Sequence, residues 1–264
     1  MEAHHGGWLN LLFEREPQWL RPWVDLFVLH TLLAVVLLGV LAWLAGRSLR
    51  QARPGPLAAV GQWAHEGLSG LSASIIPHNG ARWAPIIGSF FLFILTMNLM
   101  GLIPGFVSPT ARINTTGALG LLAVLAAQVV GVKVNGWRYF KRFIPSMGGT
   151  PWWLAWFLFI ILFPLHLVEE LIKPLSLAIR LFGNIFGDDA AVLQFALLGA
   201  GALALVLDPG SAGLLIRAGG VVGAGLSVAM TAMMIVLAIF VAFVQALVFS
   251  MLTGVYVLFA IEME

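Results

Sequence analysis

The 264-residue sequence contains no cysteine and few charged side chains. Without cysteine the chain has no disulfide, no thiolate metal site and no thiol nucleophile, although the redox compartment stays undetermined. Charged residues form 10% of the sequence, against about 25% in an average soluble domain, and 60% of the residues are hydrophobic. The shortage of charge therefore excludes an ordinary soluble domain and predicts an all-α polytopic membrane protein.

Several motifs of known chemistry are also missing from the sequence. It contains no G-x-x-x-x-G-K-[ST] phosphate loop, no H-E-x-x-H zinc motif and no G-x-S-x-G nucleophile motif, so a membrane hydrolase has no support. The net charge of +2 rests on few side chains and does not indicate nucleic-acid binding. We expect no cofactor, no metal ion and no nucleic-acid partner.

Long apolar runs predict about five to six membrane helices. The first residues carry three glutamates and lack a basic segment, so a cleaved signal peptide is not expected. The predicted order is an external segment (1–23), a first span (24–46), a cytoplasmic surface helix and linker (47–82), a helical hairpin (83–134), a basic cytoplasmic loop (135–151) and a long helical hairpin (152–264).

The last hairpin is too long to cross a bilayer upright. At ~1.5 Å per residue, the apolar stretches 152–207 and 213–261 would each be roughly 75–85 Å long, more than twice the ~30 Å hydrocarbon core. We therefore expect both helices to kink, to tilt strongly or to lie partly along the membrane. Pro164, Pro174 and the glycines supply the predicted breakpoints.

Basic residues predict the orientation of the chain. Eight of the fourteen lysines and arginines lie in residues 47–82 and 133–150. By the positive-inside rule both segments face the cytoplasm. The N-terminus is then outside and the C-terminus cytoplasmic, in what we expect to be a bacterial inner (plasma) membrane.

The segment LSLAIRLFGNIFGDD (175–189) places a permanent cation, Arg180, inside an apolar run. A cation at the bilayer centre costs about 2.5–3.5 kcal/mol on insertion scales, so a compensating partner is expected. At ~100° per residue, Asp188 lies about 80° from Arg180 around a helix and Asp189 about 180° away. An ion pair between Arg180 and Asp188 across two turns is one possible compensation.

The helix face around Arg180 is a polar stripe. The residues within about 40° of Arg180 are Asn184, Ser176, Lys173, Glu169, His166 and Gln194. Lys173 and Glu169 are four residues apart, a spacing that favours an ion pair within the helix. Since Ser176 and Asn184 are neutral, we predict that Arg180 meets a partner from another chain.

The last apolar stretch carries a second, milder polar stripe. The residues within about 40° of Gln245 are Ser227, Thr231, Ala238 and Tyr256. Side chains of serine, threonine and glutamine commonly join membrane helices, so this stripe is consistent with simple helix packing as well as with a functional surface.

Four segments resemble the family of F-type ATP synthase subunit a. KPLSLAIRLFGNIFGDD (173–189) is similar to the family signature K-P-x-S-L-x-x-R-L-F-G-N, which contains the essential arginine. Three further segments agree in the same order, namely FILTMNLMGLIPG (93–105), PTARINTTGALG (109–120) and VQALVFSMLTGVYV (244–257). The resemblance covers most of the chain after residue 83.

This resemblance implies a stator subunit of a rotary motor, without a catalytic site of its own. The stator would lie against a ring of c subunits and carry protons through two aqueous half-channels. The implied partners are the c ring, b-type peripheral stalk subunits, the rest of the ATP synthase, protons and the lipid bilayer. Arg180 would drive proton release from each passing ring carboxylate and block leak between the half-channels.

The predicted proton path comprises Arg180, Asn184, Asp189, Asp188, Gln245, Glu169, Glu170, His166, Ser176 and Asn114. By the resemblance, Asp189 belongs to the inlet half-channel, and Glu169, Glu170 and His166 belong to the cytoplasmic one. Two positions depart from the family. The segment around Asn114 lacks the aspartate of a D-x-N-x-T run, and Ala238 stands where some members carry histidine.

A secondary ion-coupled transporter is the alternative function. Such a protein would also carry charges inside the membrane, but it commonly shows duplicated halves with broken helices in corresponding positions. The sequence has no evident internal repeat. A transporter would bind a solute when purified alone, whereas a stator would copurify with a proteolipid ring.

Overall fold

The computed structural model describes residues 26–49, 55–77, 80–103, 106, 108–143, 152–207 and 213–262. Within these ranges the α-helices are α1 (Leu26–Leu49), α2 (Pro56–Ile75), α3 (Ala84–Met100), α4 (Ile113–Asn135), α5 (Trp152–Leu207) and α6 (Leu214–Ile261). Three short 3-10 helices accompany them, at Gly80–Trp83, Pro109–Ala111 and Gly136–Phe143. The described ranges contain no strand, which confirms the all-α class; the predicted external segment 1–23 lies outside them.

Five helical segments of the described chain are long and apolar enough to cross a membrane. They are Val28–Ser48, Gly80–Met100, Ile113–Tyr139, Ile160–Leu207 and Ile216–Ile261. This number confirms the predicted polytopic membrane protein. Helix α2 is not one of the five, because glycine, serine, His65 and Glu66 dilute its apolar residues.

Helices α5 and α6 pack along each other as an antiparallel pair. Their 56 and 48 residues correspond to roughly 84 Å and 72 Å of helix. The two helices approach each other closely near the end of α5 and the start of α6, because the residues there are small. Gly199 packs on Ser227, and Gly220 packs on Ala202 and Val206. The helix α5 continues through Pro164 and Pro174, and the strong tilt of the pair stays a prediction.

The core of the bundle lies where α3 and α4 pack on this long pair. Buried side chains from the four helices meet there, namely Phe90, Ile94, Met97, Leu119, Ala123, Leu177, Leu181, Ala246 and Phe249. Gly120 of α4 lies directly against α5, since a Cβ at that position would be 2.5 Å from the carbonyl oxygen of Pro174. A glycine is therefore required for α4 to sit this close to α5.

Two groups of polar contacts define the ends of the bundle. At one end, the Asn135 side chain donates hydrogen bonds to the carbonyls of Ala260 (2.9 Å) and Ile261 (3.2 Å), which ties α4 to the last turn of α6. We call this the Asn135 end. At the other end, the chain between α3 and α4 folds back so that Ser108 bonds to the carbonyl of Met97 at 3.2 Å. We call this the Ser108 end.

Candidate functional site

Arg180 lies on the outside of α5 with an exposed side chain. Among the residues that the structure describes, it forms no hydrogen bond or ion pair. The ion pair with Asp188 that the sequence left open is therefore not formed within this part of the chain, and Asp188 instead lines a cavity together with Asn98 of α3. The guanidinium stays available to a group from outside the chain.

One turn beyond Arg180, α5 and α6 are joined by a pair of amide side chains. The Asn184 Nδ2 donates a hydrogen bond of 2.8 Å to the Oε1 of Gln245. Gln245 is buried, at 3% exposure, so this bond fixes both amides at the seam between the helices. The two predicted polar stripes thus meet here.

Toward the Ser108 end, a small cavity lies between α3, α5 and α6. Its polar lining consists of Asn98, Ser108, Asp188 and Asp189, and Ala238 faces them from α6. The wall formed by the α3–α4 connection is held by hydrogen bonds. Thr110 donates to the Oδ1 of Asn98 at 2.8 Å, and the hydroxyls of Ser108 and Thr110 lie 2.6 Å apart.

A second, wider and more open cleft lies on the other side of Asp188. It is lined by the Asn184–Gln245 pair and by Phe240 and Val244 of α6. Asp188 lines this cleft as well as the inner cavity. The two spaces therefore meet at one carboxylate, about two turns along α5 from Arg180.

Toward the Asn135 end, Glu170 is the centre of a hydrogen-bonded cluster. It accepts bonds from Gln128 of α4 at 2.8 Å and from Lys173 of its own helix at 3.0 Å. The Tyr139 hydroxyl donates in turn to Gln128. The Lys173 ammonium also lies 5.8 Å from the centre of the Tyr256 ring, within cation–π range.

Glu169 lies beside this cluster but on its outer side. Its carboxylate is 3.3 Å from the Lys173 ammonium, which confirms the ion pair expected from their spacing of four residues. The Glu169 side chain is 63% exposed, whereas that of Glu170 is 15% exposed. The two predicted carboxylates therefore differ in surroundings, and Lys173 bridges them.

Three other predicted residues lie apart from both clusters. His166 bonds through its Nδ1 to the carbonyl of Leu162 in its own helix, at 2.8 Å. Ser176 is exposed on the same outer surface of α5 as Arg180. Asn114 is exposed in the first turn of α4 and does not line either cavity near Asp188.

Along α5 the charged groups follow a fixed order. Glu170 precedes Arg180 by ten residues and Asp188 follows it by eight, which corresponds to roughly 15 Å and 12 Å of helix. An exposed cation thus stands between two polar clusters that reach toward opposite ends of the bundle. Such an arrangement keeps ionisable groups on each side of Arg180 while the cation itself faces outward.

Sequence reasoning missed several polar residues of these clusters, namely Asn98, Ser108, Thr110, Gln128 and Tyr139. Asn98 and Gln128 carry a recognisable signal, because an amide in the middle of an apolar span is costly and usually has a partner. Their partners lie on other helices and are distant in sequence. The pattern of a single helix therefore predicts that these amides matter and does not predict which residues they meet.

The family model described as the ATP synthase A chain matches residues 27–258. The chain is 34% identical over 235 residues to ATP synthase subunit a 1 of Syntrophotalea carbinolica, covering 89% of this chain and 85% of the relative. It is 32% identical over 235 residues to ATP synthase subunit a of Trichlorobacter lovleyi, covering 89% and 86%. For ATP synthase subunit a of Geobacter sulfurreducens, identity is 30% over 235 residues, covering 89% and 87%.

Proposed function

This chain belongs to the ATP synthase A chain family, and from that membership we propose that it is the proton-carrying stator subunit of a rotary F-type ATP synthase. It is an integral membrane protein of a bacterial-type ATP synthase. Its proposed neighbours in the complex are a ring of c subunits and the b-type subunits of a peripheral stalk. ATP chemistry belongs to other subunits.

The observation that carries this proposal is the exposed cation of Arg180 on a membrane helix. A guanidinium stays charged at every physiological pH, so it does not escape the cost of the bilayer by losing a proton. No acidic side chain of the described residues neutralises it. A carboxylate that arrives on a neighbouring subunit would supply the missing partner.

We assign the two polar clusters to two half-channels. The cavity at the Ser108 end, with Asp188 and Asp189, is the inlet. The Glu170 cluster at the Asn135 end, with Glu169 on its outer side, is the cytoplasmic outlet. This assignment is supported by the basic residues near the Asn135 end, which the positive-inside rule places in the cytoplasm.

Arg180 would act on the proton in two ways. Its charge lowers the pKa of a ring carboxylate that comes close, so the carboxyl group releases its proton toward the outlet. The same charge repels a proton that moves directly from inlet to outlet. Each proton that crosses 100 mV releases ~2.3 kcal/mol, which a continuous pore would dissipate.

Replacement of Arg180 tests the proposal. In vesicles that contain the complete complex, Arg180→Ala should abolish proton-driven ATP synthesis. After the soluble catalytic part is stripped off, the membrane sector should leak protons. Arg180→Lys should restore little, because an ammonium is compact and loses its proton more readily when buried. The measurements are ATP synthesis and proton flux at a fixed membrane potential.

Arg138→Ala is the matched control, since it removes an exposed arginine near the Asn135 end. It should leave synthesis and flux at the wild-type level. If Arg180→Ala complexes assemble with their ring and still synthesise ATP at the wild-type rate, the stator mechanism is wrong. A purified chain that binds a solute and does not copurify with a proteolipid ring would instead support a secondary transporter.

A further inference from the structure

Helix α4 carries an exposed ridge of apolar side chains that ends in a cation. Leu121, Leu125 and Val129 are exposed and follow one another at intervals of four residues. Lys133, four residues further on in the last turn of α4, is also exposed. Side chains four residues apart lie one above another on a helix, so these four form a single line. We call this line the α4 ridge.

The chain beyond the α4 ridge adds an exposed indole. Gly136, with φ +58°, follows the last residue of α4 in a conformation that favours glycine, and an eight-residue 3-10 helix begins there. Trp137 comes next, and its side chain is 86% exposed. It lies near the end of the apolar segment Ile113–Tyr139. An exposed indole at the end of a membrane span is typical of the headgroup region of a bilayer.

Tyr139 fixes the 3-10 helix to the bundle. Its side chain is 1% exposed, and its ring packs on Gly131 of α4, where a Cβ would overlap the ring. Its hydroxyl donates to Gln128, which donates in turn to Glu170 of α5 at 2.8 Å. Since 3-10 helices of this length are uncommon, these contacts are a plain reason for its persistence. Trp137, two residues earlier, is thereby held on the outside of the bundle.

The charge and the length of this surface both match a lipid. Residues 133–142 include four basic side chains and no acidic one. From Leu121 to Lys133 the ridge rises by roughly 18 Å, slightly more than half of the ~30 Å hydrocarbon core and therefore about one leaflet. An apolar line of this length that ends in a cation and an indole fits an acyl chain with an anionic headgroup. A water-soluble partner would not reach apolar residues at this depth.

We propose that the α4 ridge and Trp137 form a binding site for one anionic phospholipid. An acyl chain lies along Leu121, Leu125 and Val129. The phosphate accepts a hydrogen bond from the Lys133 ammonium, and the Trp137 indole lies at the level of the headgroup. The lipid comes from the cytoplasmic leaflet, on the orientation predicted from the basic segments. The site does not depend on the proposed stator function, since none of the residues assigned to a half-channel forms it.

Lipid titration of the full chain tests the site. Native mass spectrometry in detergent counts bound phosphatidylglycerol, with phosphatidylcholine of the same acyl chains as the neutral probe. The wild type should prefer phosphatidylglycerol. Lys133→Gln should lower its affinity for phosphatidylglycerol about fivefold, the equivalent of ~1 kcal/mol for one basic residue near an anionic surface, and leave phosphatidylcholine unchanged. Trp137→Ala should weaken both lipids, because an indole binds the interface whatever the charge of the headgroup.

Arg82→Gln is the matched control for the lost charge. The Arg82 guanidinium lies 5.5 Å from the centre of the Trp83 ring, so this position also combines a cation with an indole. Because Trp83 packs against the core, Arg82→Gln should leave the preference for phosphatidylglycerol unchanged. Equal affinity of the wild type for the two lipids would overturn the proposal. An unchanged preference in Lys133→Gln, or an equal loss in Arg82→Gln, would overturn it as well.

A cross-link in the complete complex identifies the occupant of the ridge. Because the chain has no cysteine, Val129→Cys carries one photoreactive label within it. In vesicles of phosphatidylglycerol and phosphatidylcholine, this label should attach to phosphatidylglycerol in excess of its share of the lipid. Adding Lys133→Gln to the labelled chain should remove the excess. A cross-link to another subunit would show that the ridge is a protein interface, and a cross-link without lipid preference would show bulk bilayer. Either result would overturn the proposal.

Discussion

At the residue scale, Glu169 and Glu170 are adjacent in sequence but differ in burial and in hydrogen-bond partners. Glu170 is mostly buried and accepts hydrogen bonds from Gln128 and Lys173. Glu169 reaches Lys173 from the exposed side of the helix. Because charged hydrogen bonds that are shielded from solvent contribute more than exposed ion pairs, Glu170 is expected to hold α4 and α5 together.

Substitution of each glutamate separates stability from conduction. Glu170→Gln should lower the free energy of unfolding by about 1–2 kcal/mol, because it removes a charge from a shielded network. Glu169→Gln, the matched control, should change it by less than about 0.5 kcal/mol. SDS titration of the purified chain in mild detergent measures both. Equal losses in the two variants would contradict the distinction.

Conduction should respond to both glutamates, since both are assigned to the outlet. The double variant Glu169→Gln/Glu170→Gln should reduce proton flux from the cytoplasmic side of assembled complexes. Loss of folded protein without a loss of flux per complex would show that these carboxylates are structural.

Some of these residue contacts could be predicted and others could not. The bond of Lys173 to Glu169 follows from helical spacing within one segment, so the sequence was sufficient. The contact of Glu170 with Gln128 joins residues 42 positions apart and depends on how α4 crosses α5. Helical phase placed Asp188 away from Arg180. It did not identify Asn98 of α3 as a residue that lines the same cavity as Asp188.

At the element scale, the approach of α4 to α5 is set by one glycine. Gly120 faces the backbone of Pro174, where any larger side chain meets a carbonyl that has no room to move. The same helix carries Gln128 about two turns further on. The position of α4 against α5 therefore also determines whether Gln128 reaches Glu170. The sequence predicted both helices and gave no means of finding this contact point.

Gly120→Ala should therefore destabilise the fold by about 1–3 kcal/mol, as overpacking does in a well-packed core. Gly117→Ala in the same helix is the matched control, because a Cβ there has no atom within 4 Å. That control should be neutral or stabilising by up to about 1 kcal/mol, since alanine favours helix more than glycine does. The unfolding midpoints of the two variants in detergent measure the difference. Equal effects would show that Gly120 does not set the approach of α4 to α5.

At the scale of the whole molecule, the five apolar helical segments fit the predicted path through the bilayer. Composition and hydropathy were sufficient for this result, because the bilayer imposes length and apolarity on each span. The orientation of the chain stays a prediction that rests on the basic segments near the Asn135 end.

Reporter fusions test the orientation. A reporter fused after Glu264 should be cytoplasmic and one placed before Trp8 should be external. The physical reason is that lysine and arginine near the ends of spans are retained on the cytoplasmic side. An alkaline phosphatase and green fluorescent protein pair measures both positions, and reversed activities would invert the assignment of inlet and outlet.

The hydrogen bonds from Asn135 to the last turn of α6 have a mechanical consequence. On the proposed function, a turning ring drags sideways on the surface around Arg180, and the opposing force is borne by the two longest helices. A helix of 48 residues without contacts at one end would bend under this force. Because Asn135 bonds the end of α6 to α4, α6 transmits this force to the rest of the bundle. The surface around Arg180 therefore keeps its position.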